Sequence, residues 1–243
     1  MRIFLNNRGF IITLTFLLIT IFISLAYSKG RDALFLETFA NLDDWEPLYF
    51  PKTERHSSYT IESNHSKTYL KAESSASASG IVSKTLFNVY EYPKATWRWK
   101  VENIYEKADP TSKTGDDYPI RIYIMFKYDP EKAEFLESLK YNTAKLIYGK
   151  YPPHNSLAYI WANRECKEKV ITSMFTEKSK MIPLQMGDNN LNSWQMQDLN
   201  IIEDYKMAFG TEPPPIAGIG IMNDSDDTGE KSVSYLDFIE VYR

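Results

Sequence analysis

One cysteine, Cys166, stands in 243 residues, which excludes an internal disulfide and a thiol-only metal site. Histidine is nearly as scarce. His56, His65 and His154 sit in separate polar stretches with neither metal-ligand nor triad spacing, so each reads as a surface residue. G-x-S-x-G, H-E-x-x-H and Walker patterns are missing, and the G-I-G at 218–220 lies inside a strand pattern and opens no helix. A dinucleotide loop is thereby excluded. Positive charge is also in short supply. Residues 1–28 hold two of the 28 basic side chains and no acid, which leaves 26 basic against 32 acidic groups, a formal charge of −6. That balance argues against nucleic acid and against an anionic membrane surface as partners.

Long apolar runs are confined to the N-terminus. Phe10–Ala26 is uncharged, follows Arg2 and Arg8, and leads into the small residues of "AYS" at 26–28. It is somewhat shorter than the about 20 residues usual for a membrane span. This is the pattern of an export signal over residues 1–28, with an uncleaved inner-membrane anchor as the alternative. No cysteine lies near the junction, which excludes a bacterial lipoprotein anchor. The expected location is periplasmic or secreted, with membrane contact only through an uncut leader.

Residues 29–243 read as a single all-β domain. Short aromatic-rich segments alternate in polarity and are punctuated by Gly, Pro, Asn and Asp, as in a jelly-roll-like β-sandwich. Strands are expected at 33–39, 58–63, 68–74, 80–87, 95–104, 119–128, 156–163, 169–175, 194–199, 216–222 and 232–242. Two helical insertions are expected. One starts at Asp129 and Pro130 and runs to about 147; the other is capped by Asn200 and ends at Gly210. Neither alternates with strands in a βαβ rhythm.

Strand parity organises the candidate site. In "WRWKV", Trp97, Trp99 and Val101 share one face and Arg98, Lys100 and Glu102 the other. In "DYPIRIYIMF", Tyr118, Ile120, Ile122, Ile124 and Phe126 form the core face, with Asp117, Arg121 and Tyr123 opposite. "AYIWAN" adds Tyr159, Trp161 and Asn163 on one side. If these strands are neighbours, Arg98, Lys100, Asp117, Arg121, Tyr123, Tyr159, Trp161 and Asn163 make one polar, aromatic face. Rings there would stack on a sugar and charged groups would take its hydroxyls. The plainer alternative is a solvated sheet face with cross-strand ion pairs, or Trp161 in the core.

Carboxylates supply the remaining chemistry. Asp116 and Asp117 end a connection without helix signal that is longer than loops usually run. They are the only acid–base candidates, though adjacent strand residues face opposite ways. "NDSDDTGE" (223–230) places Asp224, Asp226, Thr228 and Gly229 like the first half of a calcium loop, without the closing glutamate of an EF-hand. Glu37 and Asp237, in the first and last strands, would be buried if their faces turn inward and could share a structural calcium. No catalytic cofactor is implied.

"LKAESSASASG" (70–80), "WRWKVEN" (97–103), "EKADPTSKTGDDY" (106–118), "AYIWANR" (158–164) and the run 203–230 together resemble the bacterial family called domain of unknown function 3047. The likeness extends from about Leu36 onward. It implies an exported envelope protein and carries over no catalytic residue. The layout of the terminal strands is also similar to galactose-binding-like and carbohydrate-module jelly rolls. Three readings stay open. The first is a non-catalytic module binding a glycan or other small ligand. The second is a polysaccharide hydrolase or lyase using Asp116 or Asp117, with Arg98 or Arg121 holding an anionic sugar. The third is an envelope scaffold.

Overall fold

The computed structural model describes residues 32–51, 53–64, 67–131, 141 and 152–243. In chain order the first seven strands are β1 (Ala33–Glu37), β2 (Trp45–Leu48), β3 (Ser58–Asn64), β4 (Lys67–Ser75), β5 (Ala78–Asn88), β6 (Lys94–Val101) and β7 (Arg121–Phe126). There follow β8 (Asn155–Ala162), β9 (Ile171–Thr172), β10 (Ser179–Met186), β11 (Gln195–Asn200), β12 (Ile216–Asp224) and β13 (Lys231–Tyr242). One sheet has the order β11-β6-β13-β4-β3, with β1 also paired to β13. The second has the order β2-β5-β12-β7-β8-β10-β9. The folded unit, Ala33–Arg243, is therefore the expected jelly-roll-like β-sandwich.

Alternation explains why these segments pair face to face. Trp97, Trp99 and Val101 of β6 and Leu236, Ile239 and Val241 of β13 turn inward from the first sheet. Ile122, Ile124 and Phe126 of β7, Leu157, Tyr159 and Trp161 of β8, and Ile219 and Ile221 of β12 meet them from the second. Bringing these two apolar faces together removes the largest apolar groups from water. Tyr118 departs from the expected parity. It precedes β7 and packs with Ala158, Ile160, Ala162 and Met181 on the outer side of the second sheet.

β2 and β10 are strands that the sequence pattern hides, and both contain a proline, Pro47 and Pro183. Proline removes a ladder donor and marks a run as edge or non-strand. β2 is indeed an edge strand. In β10, which pairs with β8 in parallel, the register shifts between Pro183 and Gln185, so a bulge absorbs the missing donor. The strand expected at 169–175 shrinks to Ile171–Thr172.

Helix α1 (Ile201–Phe209) starts and stops where its caps dictate. Asn200 Oδ1 accepts from the amides of Ile202 and Glu203, and Gly210 adopts φ 72°, the left-handed conformation that closes a helix cheaply only with glycine. The other expected helix, from Asp129 and Pro130 to about 147, lies mostly outside the described residues, and the apolar run Phe10–Ala26 lies wholly outside them. Among the described residues no helix is long and apolar enough to cross a membrane.

Candidate functional site

The expected single face carrying both arginines does not form. Arg98 and Lys100 project outward from the first sheet, whereas Arg121 and Tyr123 lie on β7 of the second and project outward on the opposite side. Tyr159 and Trp161 point to neither surface. Both are fully buried between the sheets, the Tyr159 ring 5.3 Å from Trp97 and the Trp161 ring 6.1 Å from Trp99. Their polar atoms find internal partners, Tyr159 Oη donating to Asp204 at 2.9 Å and Trp161 Nε1 to the Gly187 carbonyl at 3.1 Å. Alternation along "AYIWAN" was legible; which phase met the core was not, because large aromatics satisfy either side.

On the first sheet, Arg98 and Lys100 form a closed cross-strand set. Arg98 pairs with Asp237 and lies over the Trp194 ring at 5.2 Å. Lys100 lies 4.2 Å from the Tyr235 ring centroid and 5.4 Å from that of Trp194. These cations cover ring faces that a sugar would need.

At the calcium site expected between the terminal strands, the two carboxylates meet separate protein groups. Glu37 accepts from Trp45 Nε1 at 2.8 Å and from the Phe39 amide, and Asp237 is taken by Arg98. A bulge between Leu236 and Phe238 shifts the alternation of β13 just at Asp237, which a fixed period of two cannot anticipate. Each acid thus has its own protein partner.

What the fold does bring together is the opening pair of aspartates and the 223–230 turn. Asp116 and Asp117 follow a 3-10 turn at Lys113–Gly115 and are 2% and 0% exposed. Asp117 Oδ2 accepts from the Thr228 amide at 2.6 Å and Oδ1 from that of Asp227 at 3.4 Å. Asp224, at the end of β12, receives Arg121 in a fork, with Nε 3.0 Å from Oδ1 and Nη2 on Oδ2, and it also accepts from the Tyr118 amide. Arg121 Nη1 stands 3.6 Å from Asp116 Oδ2, and its guanidinium lies 4.6 Å from the Tyr118 ring centroid. Burial pushes the Asp224 carboxyl up to about 7 against the pull of Arg121, and burial likewise raises Asp116. Both carboxylates considered for an acid–base role are buried, and neither lines the outer groove of the second sheet. Asn163 belongs to the same support, donating to the Asp117 carbonyl and accepting from the Tyr105 amide.

Beside this cluster, the outer face of the second sheet carries a groove of about 620 Å³. Its floor is β12 and β7, where Gly220 stands opposite Tyr123 and Met222 opposite Arg121. Tyr49 and Phe50, following β2, line it together with Tyr123, Met125 and Met222, and Ser156 adds a hydroxyl. Gly80 also lines it, and a Cβ there would stand 2.9 Å from the Ile221 carbonyl oxygen. Tyr123 was expected at a binding face; Tyr49 and Phe50 were not, since the prolines flanking them (Pro47, Pro51) disguise β2 as a loop.

A model of the family described as "Protein of unknown function (DUF3047)" matches residues 43–240. No curated protein sequence matches the chain. Among solved structures, the chain is similar to the family 11 carbohydrate-binding module of Lic26A-Cel5E from Clostridium thermocellum. The identity is 10%, with 88% of this chain and 95% of that chain covered and a TM-score of 0.44. It is similar to endoglucanase 3 of family GH12 from Trichoderma harzianum at 7% identity, with 82% and 97% covered and a TM-score of 0.37. Similarity to winged bean acidic lectin in complex with methyl-α-D-galactose stands at 7%, with 86% and 98% covered and a TM-score of 0.37. The roles of individual side chains rest on this chain's own geometry.

Proposed function

We propose, from the premise that the chain belongs to the DUF3047 family, that it is an exported, non-catalytic binding module that lays a glycan in the groove of the second sheet. The observation that carries this reading is the convergence of Tyr49, Phe50 and Tyr123 on one glycine-floored groove. Aromatic rings offer flat apolar area to the C–H face of a pyranose, and the two phenol hydroxyls with Ser156 meet sugar hydroxyls at the margin. A volume of about 620 Å³ falls within the range of small-ligand sites. Neither carboxylate nor imidazole lines the groove among the described residues, which favours retention of a ligand over its turnover.

The test is binding of the full chain to an array of envelope and plant polysaccharides, with affinities of the hits measured by calorimetry. Tyr49→Ala and Tyr123→Ala are expected to weaken binding by about tenfold or more each, since a buried stacking contact contributes on the order of 1 kcal/mol beyond its area. Absence of any glycan ligand, or hits unaffected by both substitutions, overturns the reading. Cleavage of a bound polysaccharide overturns its non-catalytic half.

A further inference from the structure

Five carboxylates, Asp116, Asp117, Asp224, Asp226 and Asp227, gather where the 116–118 segment meets the turn after β12. The cations reaching this place are Arg121, forked onto Asp224, and Lys107, whose Nζ is 3.4 Å from the Thr228 carbonyl. One oxygen from each of Asp117, Asp224 and Asp226 lies within 4.8 Å of the others, and the first two of these residues are buried. Asp226 and Asp227 are exposed, but Asp116, Asp117 and Asp224 are buried, and buried negative charge in excess of its cation has to be neutralised by protons or by a further cation.

A second, independent feature points to a cation. Asp116 is 98% buried by its 2% exposure, yet its Oδ1 has no hydrogen-bond partner among the described residues. Its other oxygen faces Arg121, the same guanidinium that holds Asp224, so Asp116 is tied to the cluster through that side chain. An orphaned carboxylate oxygen at such depth is costly unless something satisfies it.

We propose that Asp117, Asp224 and Asp226 are protein ligands of a calcium ion that ties the 116–118 segment to the 223–230 turn, with Asp116 supporting it from behind. The donors are all oxygen, with no imidazole or thiolate among them, which selects a hard cation over zinc or copper. They come from an irregular turn and a loop end, a setting that suits the loose coordination of calcium better than the strict octahedron of magnesium. Asp224 shares its charge between Arg121 and the ion. The exposed Asp226 is the ligand that arrives with the metal. Because β12 and β7 also form the floor of the groove, the ion holds Arg121, and with it the Tyr123 end of the groove, in place. The site is independent of what the groove binds.

The test uses the full chain stripped with chelator and then titrated with calcium alone or magnesium alone. Bound metal is read by calorimetry and elemental analysis, and unfolding by thermal denaturation. About one calcium per chain and a rise in melting temperature are expected, with weaker binding of magnesium. Asp226→Asn, at an exposed position that leaves the fold intact by circular dichroism, is expected to lose about tenfold or more in calcium affinity, no less than loss of outer-sphere partners commonly costs. Asp43→Asn, at an exposed residue elsewhere, is expected to bind as the parent does. Melting that is identical in calcium and chelator, no stoichiometric metal, or an Asp226→Asn protein that binds calcium undiminished would each overturn the proposal. Equal affinity for magnesium would overturn the choice of ion.

Discussion

The rings of Trp99 and Trp161 meet inside the sandwich with centroids 6.1 Å apart and planes inclined at 55°. Trp99 belongs to the first sheet and Trp161 to the second, so this contact, with Trp97 against Tyr159 beside it, joins the two layers at their centre. It also removes Trp161 from any surface role.

Trp161→Ala is therefore expected to destabilise the domain by about 3–5 kcal/mol, the usual cost of deleting a large buried aromatic. Denaturant unfolding followed by circular dichroism measures it. A loss below about 1 kcal/mol would place Trp161 outside the core.

Arg121→Met removes the guanidinium from among Asp116 and Asp224. Breaking a buried pair from one side leaves charge uncompensated, and a loss of about 3–5 kcal/mol is expected. In the calcium proposal, part of that loss is recovered by raising the calcium concentration, which parallel melts of the variant in calcium and in chelator will read.

Filling the groove floor separates binding from folding. A Cβ on Gly220 meets the flexible end of Met125, with Cε at 3.2 Å, which can move aside. Gly220→Val is thus expected to keep a cooperative melt close to that of the parent while abolishing glycan retention. Undiminished retention would show that the ligand sits elsewhere.

Alkaline stability follows from buried phenols. Burial is the first cause raising Tyr105, Tyr118 and Tyr159 above their ordinary value, near 10. A group whose folded-state value is raised contributes stability that is fully present below the unfolded value and is lost as pH climbs toward the folded one. Stability is expected to fall above about pH 10, with these phenols ionising only as the chain unfolds. Difference absorbance of phenolate against pH tests this. Full ionisation of all the tyrosines in a still-folded chain would contradict it.

Asn200→Ala should cost about 1 kcal/mol, because the amides of Ile202 and Glu203 lose the acceptor that caps α1. A melting temperature equal to that of the parent would contradict the cap.

How much was readable differs from residue to residue, for physical reasons. Local rules sufficed where the chain's own neighbours make the contact: the caps at Asn200 and Gly210, and the inward ladder Trp97, Trp99, Val101. Arg98 and Arg121 were each assigned correctly to an outward face of their own strand. Nothing local says that β6 and β7 lie in different sheets, so a single face was assembled from two. Tyr49 and Phe50 stayed hidden because a short proline-bearing edge strand looks like loop. Asp116 and Asp117 were noticed, but the amides that Asp117 accepts from, those of Asp227 and Thr228, lie more than a hundred residues away.

By itself the sequence determined the class of fold, the ends of α1, the scarcity of thiol and imidazole chemistry, and the acidic character of residues 29–243. These follow from composition and from periods of two or 3.6, which act between residues close in the chain. Tertiary structure alone decided that Trp161 faces inward, that the arginines stand on opposite sides, and that Asp117 shares one small volume with the remote Asp224 and Asp226. Such outcomes depend on which strands neighbour each other and on bulges such as that at Asp237, where burial of the whole core outweighs any local preference.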